Sequence, residues 1–146
     1  STVLDAEASR VVNWTLQKVV TAGTGSAARA LGRPVAGKTG TTDQNKSAWF
    51  AGYTPQIAAA VMLVKQDEAG NPISLSGTGG MRSVAGGSFP ARIFTAFMKG
   101  ALANVTATRF TKPTTFPSLM PEPSAQPSDP AASQNPSVSA SATPQP

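Results

Sequence analysis

The feature that most constrains the fold of this chain is a pair of short apolar segments separated by a turn signal. Residues 47–53 are rich in aromatic side chains, which favour β-strands. Residues 53–56 (Y-T-P-Q) have the composition of a tight turn and lead into residues 57–64, a run of eight apolar residues. That length suits a strand buried on both faces, while periodicity alone leaves a buried helix open. The turn and the short preceding segment favour an antiparallel meander.

Helical patterns flank these strands. Asp5 precedes an apolar pattern of helical spacing and Gly23 follows it, which predicts a helix over residues 5–21. Near the other end, Ser88 is a candidate N-cap, and Pro90 fits the first turn of a second helix. The predicted buried face of that helix consists of Ile93, Phe94, Phe97, Met98, Ala101 and Leu102.

The remaining segments define one domain and a tail. Residues 33–42 are predicted to form the first of three strands, and the glycine-dense residues 67–87 to form a loop. The order helix, three strands, helix predicts an α+β fold, which we assign to residues 1–110. Nine of the chain's thirteen prolines lie in residues 111–146. Such a segment buries too little apolar surface to offset the entropy of ordering, so a disordered tail is predicted there.

The residue types that are missing limit the possible chemistry. The chain has no cysteine and no histidine, which excludes disulfides, ordinary zinc sites and Ser-His catalysis. We expect no cofactor and no metal. Residues 1–110 hold eleven lysines and arginines against five aspartates and glutamates, but these cations are scattered singly. No nucleic-acid partner is therefore expected, and attraction to an anionic substrate or envelope is favoured.

One short stretch supports two different chemical interpretations. Residues 32–39 match the nucleotide-binding pattern G-x-x-x-x-G-K-[ST]. A phosphate-binding loop, however, needs a buried strand before it and a helix that starts at the lysine. The upstream residues are alanine-rich, and Gly40, Thr41 and Thr42 discourage a helix downstream. A nucleotide site is therefore the weaker interpretation.

The stronger interpretation is a strand with an exposed edge. Alternation along a strand directs Lys38 to one face and Thr39 and Thr41 to the other. Gly40 leaves room for another backbone to approach. An extended ligand with a terminal carboxylate can bind such an edge by strand addition, with its carboxylate meeting two hydroxyl groups and an ammonium.

Three motifs resemble one family. Residues 38–42 read K-T-G-T-T, residues 48–55 read A-W-F-A-G-Y-T-P, and residues 86–91 read G-G-S-F-P-A before the last helix. Together they resemble the end of the transpeptidase domain of a class A penicillin-binding protein, whose third motif is K-T-G. Residues 21–25 also resemble a V-x-x-G-T-G turn of this family. The resemblance implies an antiparallel sheet with terminal helices packed on one face.

The resemblance also implies roles for the strand residues. Lys38 would set the electrostatics of the site, and the hydroxyls of Thr39 and Thr41 would bind the carboxylate of a peptidoglycan stem peptide or a β-lactam. The backbone N–H of Thr41 would be an oxyanion donor, beside the space that Gly40 leaves. The family implies a location outside the cytoplasm, with a membrane anchor in an N-terminal segment absent from this chain.

The family's nucleophile motif does not occur in this chain. Its chemistry needs a serine in S-x-x-K together with an S-x-N motif, and the nearest spelling is Thr15 three residues before Lys18. We therefore expect an upstream segment of the same domain to be a partner, and the chain to be inactive alone. A non-catalytic structural module remains the alternative, beside the nucleotide site.

Overall fold

The computed structural model of the protein describes residues 5–115, which contain two α-helices and four β-strands. The helices are α1 (Ala6–Thr21) and α2 (Phe89–Ala101). The strands are β1 (Ala36–Thr41), β2 (Ser47–Tyr53), β3 (Ala58–Gln66) and β4 (Pro72–Ile73). Short 3-10 helices at Ser26–Leu31, Asp43–Asn45 and Thr78–Gly80 lie between them. None of the helices in this part of the chain is long and apolar enough to cross a membrane.

The four strands form one antiparallel sheet in the order β1-β2-β3-β4. The predicted α+β class and antiparallel meander are therefore confirmed. A fourth strand was not predicted: Pro72 and Ile73 pair with Gln66 and Lys65 inside the segment that was predicted to be a loop. Two residues are too few to show a periodic pattern, so this strand is recognised only from its pairing with β3.

The first strand starts later than predicted. It begins at Ala36 and not at residue 33, because Pro34 has no N–H to donate to a ladder. The Arg33 side chain is also used elsewhere, since its guanidinium donates to the carbonyls of Leu102 and Val105, at 3.2 and 3.1 Å. Arg33 therefore links the segment before β1 to the end of α2 by hydrogen bonds.

The main core lies between the sheet and α2. Phe50 and Phe94 are fully buried and meet edge to face, with their ring centroids 4.9 Å apart. Gly52 makes this packing possible, because a Cβ there would lie 2.8 Å from the Phe50 ring and 3.0 Å from the Phe94 ring. Val20 of α1 belongs to the same cluster. The second cluster, Ala48, Leu75 and Val84, supports the other end of β2.

The third strand is not buried on both faces, as the apolar run had suggested. Its residues alternate, and the side that carries Val61 packs against the main core. On the other side Met62 and Val64 are 50% and 39% exposed, and Trp49 beside them on β2 is 39% exposed. This apolar surface of Trp49, Met62 and Val64 is open to solvent, and we call it the outer face.

The buried side of α2 is rotated from the predicted one. Phe94, Met98 and Leu102 are buried as predicted, but Ile93 and Phe97 are 46% and 55% exposed. Ala101 is exposed as well. Their places in the core are taken by Pro90, Ala91 and Thr95, because the helix also packs against the 3-10 helix Ser26–Leu31. Ser88 is at the N-cap, but its hydroxyl donates to the Ala85 carbonyl and not to the helix.

The chain returns to the start of α1 after α2. The Asp5 carboxylate caps α1 by accepting from the backbone N–H groups of Glu7 and Ala8. Glu7 accepts in turn from the backbone N–H groups of Thr114 and Thr115. Residues 116–146 of the predicted tail lie outside the described residues, so the boundary at residue 110 stays a prediction.

We expect the contact between Glu7 and the returning chain to be lost in acid. The Thr115 N–H foremost, with help from Arg10 and Thr114, lowers the pKa of Glu7 from 4.5 to about 2. A carboxylate with a depressed pKa stabilises the fold fully above its unfolded pKa, and this contribution disappears as pH falls from about 4.5 to 2. The protection factors of the Thr114 and Thr115 amides, which correct for the pH dependence of intrinsic exchange, should fall across this window in the wild type. With Glu7→Gln this fall should be absent, and an unchanged profile in the wild type would contradict the assignment.

Two phenylalanines of α2 offer a matched test of the core. Phe94→Ala should cost about 3–5 kcal/mol of unfolding free energy, because it empties a buried site against Phe50. Phe97→Ala makes the same chemical change three residues later on an exposed side, and should cost less than about 1 kcal/mol. Urea denaturation of the 146-residue chain measures both. Equal losses for the two variants would show that the buried side of α2 is assigned wrongly.

Candidate active site

The candidate site is built on the free edge of β1. β1 is the end strand of the sheet and pairs on one side with β2. The Thr42 N–H donates to the Ser47 carbonyl at 3.1 Å, so this pair is hydrogen-bonded across the ladder. Because antiparallel pairs alternate, Gly40 and Lys38 also direct their backbone groups to β2. Thr39 and Thr41 direct theirs to the open edge.

Lys38 lies on the same side of the sheet as the outer face. Its register partner is Ala51, and its side chain lines a shallow apolar cavity of about 430 Å³ with Leu16 and Tyr53. The ammonium turns back to the strand edge and donates to the Thr39 carbonyl at 2.8 Å. The positive charge of Lys38 therefore lies at the open edge, beside the backbone groups that β2 does not use.

The side chains of Thr39 and Thr41 lie on the other side of the sheet from Lys38. Their register partners on β2 are Phe50 and Ala48. The hydroxyl of Thr39 is 2.7 Å from the hydroxyl of Thr24, which belongs to the turn after α1. The Gly-Thr-Gly composition indicates a turn at Thr24, but it does not indicate which residue the Thr24 side chain contacts. Thr41 is exposed.

Two glycines hold the strand from the side of α2. A Cβ on Gly86 would overlap the Trp49 carbonyl oxygen and would lie 3.0 Å from the Gly40 nitrogen. A Cβ on Gly87 would overlap the Thr24 carbonyl oxygen. The segment before α2 thus lies directly on the backbones of β1 and β2 at Gly40. On the opposite side Gly40 has space, since a Cβ there would be 3.4 Å from the Trp49 Cβ.

The turn after β1 is fixed by one side chain that the sequence did not reveal. Asn45 has φ of 55°, a left-handed conformation that asparagine tolerates better than most residues. Its amide group donates to the Val84 carbonyl at 2.7 Å and accepts from the Val84 N–H at 3.0 Å. The backbone carbonyl of Asn45 accepts from the Leu75 N–H. Asn45 therefore links the K-T-G hairpin to the segment that leads to Gly86.

The other sequence candidates do not form sites. Lys38 and Thr39 lie inside β1 and no helix starts there, so the architecture of a nucleotide-binding loop is absent from residues 32–41. Thr15 and Lys18 do not meet: the Thr15 hydroxyl donates to the Val11 carbonyl, and the Lys18 ammonium lies 4.6 Å from the Trp14 ring centroid. Within residues 5–115 no cluster of His, Cys, Asp and Glu side chains suits a metal ion.

The antiparallel sheet and the K-T-G edge strand are the features expected of a penicillin-binding protein transpeptidase domain. The family model described as "Penicillin binding protein transpeptidase domain" matches residues 1–98. The chain therefore belongs to this family, as the resemblance predicted.

Curated relatives and a solved structure agree with this assignment. Penicillin-binding protein 1A of Neisseria gonorrhoeae is 44% identical over 61 residues, which is 41% of this chain and 8% of the relative. The same-named protein of Rickettsia prowazekii is 44% identical over 55 residues, which is 38% of this chain and 7% of the relative. The chain thus spans less than a tenth of these relatives.

The fold resembles the crystal structure of penicillin-binding protein 1A from Haemophilus influenzae. The TM-score is 0.59 at 23% identity, over 77% of this chain and 17% of that chain. This likeness supports the fold assignment.

Two glycine variants should test whether the segment before α2 touches the strand pair. Gly86→Ala places a methyl group on the Trp49 carbonyl, so we expect a loss of about 1–3 kcal/mol or more in unfolding free energy. Gly40→Ala has space for its methyl and should change stability by less than about 1 kcal/mol. Urea denaturation of both variants is the measurement. A Gly86→Ala chain as stable as the wild type would show that this segment does not touch the strand pair.

Proposed function

We propose that this chain is the K-T-G-bearing, C-terminal segment of a peptidoglycan D,D-transpeptidase, which cross-links stem peptides by serine acyl transfer and binds β-lactams. The observation that carries the proposal is the free edge of β1. The Thr41 N–H, the Thr39 carbonyl and the Lys38 ammonium all lie along this edge. A backbone donor, a backbone acceptor and a cation in one row suit an extended peptide with an anionic end.

The substrate binds as an additional strand in this proposal. Its backbone pairs with the unused groups of Thr39 and Thr41. Without substrate, the Lys38 ammonium donates to the Thr39 carbonyl at 2.8 Å. A substrate N–H that donates to the same oxygen displaces this ammonium. The released ammonium is then available to the reacting groups. Pairing thus couples substrate binding to the position of the charge.

Thr41 supplies one oxyanion donor through its backbone. Attack by the serine of S-x-x-K on the substrate carbonyl places negative charge on the carbonyl oxygen. A fixed N–H donor at that oxygen contributes on the order of 3 kcal/mol to transition-state stabilisation. The second donor is the N–H of the serine itself. Since a backbone donor depends on strand position, the contact of Gly86 with Gly40 supports catalysis without touching the substrate.

The threonine hydroxyls bind the substrate carboxylate. The hydroxyls of Thr39 and Thr24 are 2.7 Å apart, so one of them donates to the other. The second hydrogen of this pair is then free to donate to a carboxylate oxygen. The exposed Thr41 hydroxyl is the other donor.

The nucleophile is supplied by an upstream segment that carries S-x-x-K and S-x-N. The outer face, with Trp49, Met62 and Val64 exposed, is the apolar surface that we propose this segment covers. The chain alone is accordingly inactive. In the intact protein the domain lies outside the cytoplasm, attached to the membrane through an N-terminal segment.

Labelling with a fluorescent penicillin tests the proposal. We expect no label on this chain alone, and label on the upstream serine when the chain is mixed with the segment that carries S-x-x-K. Lys38→Ala should reduce the acylation rate by about 10²–10³-fold, the range for removal of one group that stabilises charge in the transition state. Absence of label in a mixture shown to be folded would leave a non-catalytic module as the function.

Thr39→Val tests the carboxylate contact. Losing a hydrogen bond to a charged group should slow acylation by about 10- to 100-fold. Thr15→Val is the matched control, because Thr15 is exposed on α1 and bonds only locally to Val11. The control should acylate at the wild-type rate. This result would also show that Thr15, three residues before Lys18, has no catalytic role. Near-normal acylation by Thr39→Val would contradict the assigned role.

A further inference from the structure

A second polar site lies between α1 and residues 107–112. A cavity of about 520 Å³ there is lined by the guanidinium-bearing residues Arg29, Arg33 and Arg109, with Thr21 and Thr108 among its polar neighbours. An adjoining cavity of about 200 Å³ shares Arg109 and Thr21 and adds two lysines, Lys18 and Lys112. We call the two together the arginine groove. It shares no lining residue with the edge of β1.

The charge of the arginine groove is not balanced within the described part of the chain. No carboxylate lines either cavity. Among residues 5–115 the single ion pair joins Arg10 to Glu7, and neither residue lines the groove. Five cations that line one groove repel one another, and an anion between them relieves this repulsion.

The cations differ in what else they do. Arg33 is committed to the fold, because both its terminal nitrogens donate to backbone carbonyls at the end of α2. Arg29 uses its Nε on the Ser26 carbonyl, which orients the side chain but leaves its terminal nitrogens for a ligand. Thr108 accepts from the Gln56 side chain at 2.7 Å, so its own hydroxyl hydrogen remains available.

We propose that the arginine groove binds a phosphate-bearing ligand. The donors come from three elements of the fold, with Lys18 on α1, Arg29 on the 3-10 helix, and Arg109 and Lys112 on the returning segment. A tetrahedral phosphate offers oxygens in several directions, whereas a planar carboxylate offers two along one edge. Arginine forks match phosphate oxygens in pairs. The source is either a lipid headgroup or a soluble phosphate compound.

Calorimetric titration of the intact protein that carries this chain tests the site, with tripolyphosphate as probe and citrate as a carboxylate of similar charge. The double variant Arg29→Gln, Arg109→Gln should bind tripolyphosphate at least about tenfold more weakly. Arg82→Gln, Arg92→Gln is the matched control, since it removes the same charge from residues outside the groove. The control should bind as the wild type does.

Three results would overturn the proposal: no saturable binding of tripolyphosphate, equal weakening in both double variants, or citrate binding as tightly as tripolyphosphate. Cosedimentation of the 146-residue chain, without the proposed N-terminal anchor segment, with vesicles that contain phosphatidylglycerol identifies the source. Retention that the groove variant loses and the control keeps indicates a lipid headgroup, while soluble binding without such retention indicates a free phosphate compound. Penicillin acylation should be normal in both double variants. The phosphate-site proposal and the transpeptidase proposal can therefore be contradicted independently.

Discussion

The approach of Gly86 to the backbones of Gly40 and Trp49 is the contact on which the candidate site depends. It brings the start of α2 onto the strand pair without an intervening side chain. The Gly86 carbonyl also accepts from the Ala91 N–H in the first turn of α2. Gly86 therefore contacts both the first turn of α2 and the K-T-G strand. A larger residue would have to separate the helix from the sheet.

The core packs β2 and α2 together beside this contact. Phe50 and Phe94 fill the space between β2 and α2, and Gly52 leaves the space that the two rings need. At the other end of β2, the Asn45 amide holds Val84 in a small second cluster. The strand edge is thus supported on both sides of Gly40. The open edge of β1 and the outer face remain exposed in this part of the chain.

Much of the fold followed from local pattern. The helix over Ala6–Thr21, the strand Ser47–Tyr53 and the antiparallel meander were predicted from caps, turns and aromatic content. The strand Pro72–Ile73 was not, because two residues are too few to carry a period. The exposed side of α2 was assigned wrongly, since Phe97 is as apolar as Phe94 and only the neighbouring elements distinguish them. The roles assigned to Lys38, Thr39, Gly40 and Thr41 rest on the family resemblance and remain predictions.

The sequence by itself determined the family and the location of the K-T-G strand, because these depend on residue types in order. Strand alternation also separated Lys38 from Thr39 and Thr41, since the two-residue period is a local property. Only the tertiary structure decided that the Thr24 hydroxyl meets Thr39 and that Gly86 lies on Gly40. It alone brought Arg29 and Arg109 into one groove from positions eighty residues apart in the chain. Contacts between distant residues depend on how the layers pack, and no local pattern records that packing.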